Sequence, residues 1–129
     1  MKDLESREDI QLLVDRFYYK IQKTESLGYI FNDVAKVNWE KHLPKMYDFW
    51  ESILFGSATY KGNPMAVHFP INQMVALEKS LFEQWLFHWK QTVDENFVGD
   101  NANAAKTKAD NIANLMAYKM EIARRLDDH

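Results

Sequence analysis

Apolar residues recur at helical spacing along most of the 129-residue chain. They return every three or four positions, which is the pattern of a helix that buries one face. The pattern predicts four main helices, over residues 8–22, 39–55, 77–97 and 101–126. No segment shows the strict alternation typical of a strand, so the predicted fold class is all-α.

Each predicted helix has an apolar stripe that we expect to face the core. Ser6 is the expected N-cap of the first helix, where Asp9 replaces the Glu of a full capping box, and Asn38 is that of the second. Pro44 lacks a backbone donor, so the second helix is predicted either to start its regular part near His42 or to bend there. The stripes are Ile10, Leu13, Val14, Phe17, Tyr18 and Ile21; Leu43, Met46, Tyr47, Trp50, Ile53 and Leu54; Leu81, Phe82, Trp85, Leu86, Trp89 and Val93; and Ala105, Ala109, Ile112, Met116, Met120 and Ala123.

Glycine and proline mark two breaks in the helical pattern. Gly28 is expected to end a short connector, after which Tyr29, Ile30 and Phe31 return apolar side chains to the core. Residues 56–76 contain two glycines and two prolines, and we predict that they form a long irregular loop. Because the loop also carries several apolar residues, it is expected to be ordered and packed.

Composition and charge exclude several classes of protein. The chain has no cysteine, which excludes disulfides and thiolate sites, and its net charge of −3 is unlike that of a nucleic-acid binder. No apolar run approaches membrane-spanning length, so no membrane insertion is predicted. We expect a cytoplasmic protein with one domain over residues 1–129.

Histidine is the residue type with the most informative chemistry here. Of the four histidines, His129 is terminal and His88 lies one position off an inward stripe, which leaves His42 and His68. His68 lies in the predicted loop with apolar neighbours, where an imidazole can be the axial ligand of a flat apolar cofactor or simply a hydrogen-bonded structural residue. The roles of Tyr18 and Trp85 are also undecided from the pattern. Both side chains fit core packing, and both carry a hydrogen-bond donor that could point at one ligand.

Several motifs in one order resemble the truncated haemoglobin family. The motifs are Phe17-Tyr18, Leu27-Gly28-Tyr29-Ile30-Phe31, Trp39-Glu40-Lys41-His42-Leu43-Pro44-Lys45-Met46 and Phe49-Trp50. The run Tyr60-Lys61-Gly62-Asn63-Pro64-Met65, with His68 three residues later, and Phe82-Glu83-Gln84-Trp85-Leu86 resemble its group III branch. The resemblance extends from Ile10 to Phe97. It departs from the family at Leu81, where many members have histidine, and at Tyr29, where proline is common.

The resemblance implies a truncated globin fold in which helices sandwich haem b, with His68 on the irregular loop as the proximal iron ligand. It places Tyr18, Trp85 and His42 on the distal side, where a diatomic ligand binds. The second ring nitrogen of His68 is expected to bond a backbone carbonyl or a carboxylate. The remaining cofactor-binding set comprises Phe31 on the haem face, Met46 above the iron, Lys45 near a propionate, Trp50, Phe82 and Met65.

The function implied by the resemblance is reversible binding of dioxygen and other diatomic ligands, such as NO and CO. Two distal donors favour slow oxygen release over transport, and they suit NO detoxification or peroxide reduction with an unidentified reductase or other electron donor. Whether the chain is an enzyme stays open at this point. The alternative is a haem-free all-α interaction module in which His68 and Trp85 are core residues. A haem-based sensor would need a second domain, and none is predicted.

Overall fold

The structure, a computed structural model, describes residues 1–127; Asp128 and His129 lie outside this range. Its elements are α1 (Arg7–Lys23), α2 (Glu25–Tyr29), a π-helical turn (Ile30–Val34), α3 (Trp39–Phe55), α4 (Pro64–Met74), α5 (Lys79–Asn96) and α6 (Asp100–Asp127). The all-α prediction is confirmed. The four predicted main helices correspond to α1, α3, α5 and α6, with bounds that differ by two residues at most.

The core lies between α1, α5 and α6. All six residues of the predicted α1 stripe are buried, and Ser6 caps the helix by accepting the Asp9 N–H. Helices α5 and α6 run antiparallel, because the turn at 97–99 joins them and Lys90 pairs with Asp110 at 2.7 Å. Four buried alanines on α6 allow the close approach of α5. They are Ala102, Ala105, Ala109 and Ala113.

The N-terminal segment closes the start of α6. The Asp3 carboxylate accepts the backbone N–H groups of Asn101 at 2.9 Å and Ala102 at 2.8 Å. Gly99 adopts a φ of 137°, and a Cβ built there would lie 2.5 Å from Asp3 Cγ. A glycine is therefore needed where the turn passes under the capping carboxylate. The result is an N-cap supplied from about a hundred residues away in the chain.

Helix α3 begins at Trp39 and continues through Pro44. Asn38 occupies the predicted N-cap position, but its side chain makes no capping hydrogen bond. The donor that Pro44 lacks would have bonded the carbonyl of Glu40 in the exposed first turn, where water can take its place. Because the helix already begins at Trp39, the prediction that its regular part starts near His42 is wrong. The left-handed residue Gly56, at φ 73°, ends the helix.

The predicted irregular loop over 56–76 is wrong for most of its length, because residues 64–74 form helix α4. His68 thus lies on a helix. The Asn63 side chain caps α4 by accepting the Ala66 N–H at 3.1 Å, and Pro64 occupies the first turn, where a missing N–H costs nothing. Pro70 lies inside the helix and hid the helical pattern, since proline usually breaks one.

The connector between α1 and α3 is helical. At Gly28 the backbone passes the preceding helix so closely that a Cβ would lie 2.6 Å from the Gln22 carbonyl oxygen. The π-helical turn that follows buries Ile30 and half-buries Phe31, as expected. Tyr29, expected to point to the core, is instead 52% exposed. The last residue of α2 therefore faces solvent, while the first two residues of the π-helical turn face inward.

Candidate functional site

His68 is held by a hydrogen bond within its own helix. Its Nδ1 lies 2.5 Å from the Pro64 carbonyl oxygen, one turn earlier on α4. A carbonyl oxygen only accepts, so Nδ1 carries the proton and donates, and Nε2 keeps its lone pair. Burial lowers the pKa of His68, although the bond to Pro64 partly opposes this effect. The ring is therefore neutral near pH 7, with an oriented and unprotonated Nε2. Pro64 is the backbone partner that the sequence predicted without naming.

His42, on α3, lies inside a group of aromatic rings. Its ring centroid lies 5.2 Å from that of Tyr18, 5.6 Å from Trp39 and 6.2 Å from Phe31. Its Nε2 is buried with no hydrogen-bond partner in the described part of the chain. Burial, with smaller contributions from the charges of Lys45 and His68, lowers the pKa of His42 to about 4. The contribution of His68 indicates that the two imidazoles lie within electrostatic reach of each other.

Tyr18 and Trp85 hold two donors that the protein does not use. The rings of both residues pack on Phe17, with centroid separations of 4.9 Å and 5.6 Å. The indoles of Trp39 and Trp89 donate to Asn32 and Ala105, whereas within residues 1–127 neither the Tyr18 hydroxyl nor the Trp85 indole forms a hydrogen bond. Burial raises the pKa of Tyr18, so its hydroxyl keeps its proton at any physiological pH.

The structure distributes the other predicted site residues over three places. Phe31 packs on Tyr18 and His42, and the exposed Lys45 lies within electrostatic reach of His42, so both lie near that histidine. Met65 and Phe82 are partly buried against a small cluster formed by Ile30, Leu77 and Met120. Met46 and Trp50 pack into the main core. Trp50 is 2% exposed and stacks on Trp89 at 4.2 Å, so it supports the site from behind.

Trp39 packs with Tyr18, Phe31 and His42, and we call these four residues the distal group; the sequence assigned Trp39 no role. Its ring stacks on Phe31 at 5.7 Å and lies 5.4 Å from Tyr18. Its indole donates to Asn32 at 3.0 Å, which fixes the start of α3 against the π-helical turn. A usable signal was present, since Trp39 lies three residues before His42 and therefore on the same face of the helix.

His68 on α4 thus lies within electrostatic reach of His42 on α3, whose Nε2 has no partner within residues 1–127. The family model of the bacterial-like globins matches residues 3–121. The chain therefore belongs to the bacterial-like globin family.

Two comparisons specify the branch of that family. The group 3 truncated hemoglobin ctb of Campylobacter jejuni is 28% identical over 120 residues, which cover 88% of this chain and 92% of that protein. The crystal structure of group III truncated hemoglobin from Campylobacter jejuni superposes with a TM-score of 0.81 at 27% identity, covering 93% of this chain and 95% of the other. The resemblance to group III truncated haemoglobins and the truncated globin fold are thereby confirmed.

Membership in this family implies a haem cofactor, and the residues present fit one. His68 offers a single neutral imidazole nitrogen with its second nitrogen already bonded, which is how a haem-ligating histidine is oriented. The buried Nε2 of His42 lacks a partner, as expected on the side where a polar ligand would bind. Within residues 1–127 no helix is long and apolar enough to span a bilayer.

Proposed function

We propose that this chain is a haem-binding globin that holds haem b through His68 and reversibly binds dioxygen, NO and CO. The observation that carries the proposal is the bond from His68 Nδ1 to the Pro64 carbonyl, which leaves Nε2 oriented and free. When bound, haem supplies an iron atom that takes up diatomic gases and exchanges electrons. The protein's part is to bind the cofactor, exclude water and place donors.

Apolar burial contributes most of the affinity for the cofactor in this proposal. Phe31, Met46, Met65 and Phe82 would contact the haem, and Trp50 would support it from the core. Removal of apolar area from water contributes about 25 cal/mol per Å². The ammonium of Lys45 is exposed, and it would pair with a propionate at the solvent edge.

Tyr18 and Trp85 would stabilise a polar diatomic ligand in the distal pocket. A hydrogen bond to a charged acceptor contributes about 1.5–3 kcal/mol. Since 1.4 kcal/mol corresponds to a factor of about ten, each donor would slow ligand escape by ~10–100-fold. Neutral His42, with its partner-free Nε2, would join this network or stand at the ligand's entry.

Slow release of dioxygen favours a reaction of the bound ligand over oxygen transport. In NO detoxification, nitric oxide, dioxygen and one electron give nitrate, and the electron must come from a reductase or another donor. Peroxide reduction likewise needs two electrons and two protons to give water. The neutral Tyr18 hydroxyl would donate a hydrogen bond to the bound ligand in either reaction, and only peroxide reduction takes up protons.

The direct test is the His68→Gly variant with added imidazole. We expect the parent protein to be isolated red, with a Soret band, and the variant to lose its haem or its proximal ligation. Free imidazole would restore the ferrous spectrum, because it fits the space left by the removed ring. His88→Gly is the matched control, since His88 is a half-buried helical histidine that bonds Thr24 away from the pocket.

Two results would contradict the proposal. A colourless protein that ignores added hemin would favour the haem-free interaction module instead. A His68→Gly protein with the parent's spectrum, both without and with imidazole, would place the iron ligand elsewhere.

A further inference from the structure

The helix that carries His68 has little to hold it in place by itself. It is 11 residues long, and isolated helices shorter than about 12–15 residues are marginal in water. Pro70 inside it cannot donate to the Ala66 carbonyl, which removes one hydrogen bond from the turn that contains His68. Only one residue of α4, Asn72, is buried. The position of α4 must therefore be set by contacts with other elements.

A polar group at the end of α4 provides these contacts. Asn72 donates from Nδ2 to the Met120 carbonyl at 3.0 Å, and its Oδ1 accepts the Leu77 N–H at 3.0 Å. The Arg124 guanidinium donates through one nitrogen to Asn72 Oδ1 at 2.9 Å and to the Leu77 carbonyl at 2.8 Å. We call Asn72 and Arg124 the α4–α6 clamp. It ties the end of α4, the following connection and the C-terminal half of α6 to one another.

We propose that Asn72 and Arg124 are positioning residues for the proximal histidine. Asn72 lies four residues after His68, so both side chains lie on one face of α4. A clamp at Asn72 fixes how far that face can tilt, and with it the direction of His68 Nε2. Their hydrogen bonds go to one another and to the backbone of Met120 and Leu77, and not to His68, so they act through the helix. This inference rests on the proposed role of His68 as the haem ligand.

Arg124→Met in the haem-loaded full chain is the first test. Methionine keeps most of the length of the side chain and removes both hydrogen bonds. The readout is the iron–histidine stretching band in the resonance Raman spectrum of the ferrous protein, which reports the orientation and strength of that one bond. We expect the band to shift or broaden. We also expect haem transfer to a scavenger globin to be about tenfold faster, at the lower end for groups that orient a metal ligand.

Arg125→Met is the matched control. Arg125 neighbours Arg124 on the same helix, but it is exposed, and within residues 1–127 its ion pair is with Glu121 at 2.8 Å. Its replacement removes the same charge without touching Asn72. The control should keep the parent's band and rate of haem loss.

Two conservative variants separate positioning from general stability. Arg124→Lys retains a donor that reaches one of the two acceptors, so the band should return toward the parent position. Asn72 is buried and its truncation risks unfolding, so Asn72→Asp is used instead: it keeps the Oδ1 acceptor and loses the donor to Met120. Amide hydrogen exchange should rise over residues 64–74 in Arg124→Met and stay unchanged in α1 and α5.

The results of these experiments distinguish failure of the inference from failure of the proposed function. An unchanged iron–histidine band in Arg124→Met, in a parent that shows the band, overturns the inference and leaves the proposed function standing. Faster haem loss with an unshifted band and faster exchange along the whole chain means a merely structural role, and also overturns it. If the parent protein binds haem but shows no iron–histidine band, the proposed ligation by His68 is wrong, and the proposed function fails with it.

Discussion

Two adjacent tyrosines on α1 show that a shift of one position along a helix determines whether a side chain is buried or exposed. Tyr18 is 5% exposed and belongs to the distal group, whereas Tyr19 is 61% exposed beside Lys23. A step of one residue turns a side chain by about 100°, so the apolar spacing of α1 was enough to predict which tyrosine faces inward. The spacing could not predict that the Tyr18 hydroxyl would be left without a partner, because that depends on what the other helices offer.

The distal donors carry a prediction at this scale. In the haem-loaded protein, Tyr18→Phe should raise the oxygen dissociation rate by about tenfold or more, because a hydrogen bond of roughly 1.5–3 kcal/mol is lost. Trp85→Phe should do the same through loss of its indole N–H. The measurement is stopped-flow displacement of oxygen by CO.

Tyr19→Phe is the control, since it removes the same hydroxyl from the exposed neighbour. Equal rates in Tyr18→Phe and Tyr19→Phe would show that the buried phenol does not bond the ligand. A rate raised by Trp85→Phe alone would assign the stabilisation to the indole.

At the scale of elements, the helix missed from the sequence is the one that carries the site. The start of α4 could have been predicted, because Asn63 is a common N-cap residue and Pro64 follows it in the first turn. Its interior could not, because Pro70 disrupts the pattern and only Asn72 is buried. Tertiary contacts through Asn72 and Arg124 hold a helix that local preferences alone would leave marginal.

The capping of α6 by Asp3 makes a second element-scale prediction. Asp3→Ala should lower the free energy of unfolding by about 1 kcal/mol, since it removes an N-cap. Glu5→Ala is the control in the same segment, because the exposed Glu5 side chain forms one long ion pair, with Lys2, among the described residues. Urea unfolding measures both, and equal values would show that the cap contributes nothing.

This stabilisation should depend on pH in one direction. Partial desolvation raises the pKa of Asp3, but hydrogen bonds from the Asn101, Ala102 and Leu4 N–H groups outweigh it, and the net shift is downward. A carboxyl with a lowered folded pKa stabilises the folded state above its ordinary pKa, and loses this effect as pH falls through the folded value. The difference between Asp3→Ala and the parent should therefore be full near pH 7 and shrink below about pH 4.

At the scale of the whole molecule, the proposed haem pocket is lined by several helices, so haem binding should stabilise the folded protein. Excess hemin should raise the melting temperature of cofactor-free protein by roughly 15 °C, because a thousandfold excess over Kd contributes about 4 kcal/mol. Metal-free protoporphyrin should give a smaller rise, since it keeps the apolar contacts and loses ligation by His68. Equal shifts with both compounds would argue against that ligation.

The sequence by itself determined the helical class, the inward faces and, through its resemblance, the family. These follow from local periodicity and from motifs, both of which are readable residue by residue. Only the tertiary structure decided that His68 stands on a helix, that its Nδ1 bonds Pro64, and that Asn72 and Arg124 hold that helix on α6. The physical reason is that a short, proline-containing helix has too little local preference to specify itself, so distant residues supply the contacts that order it.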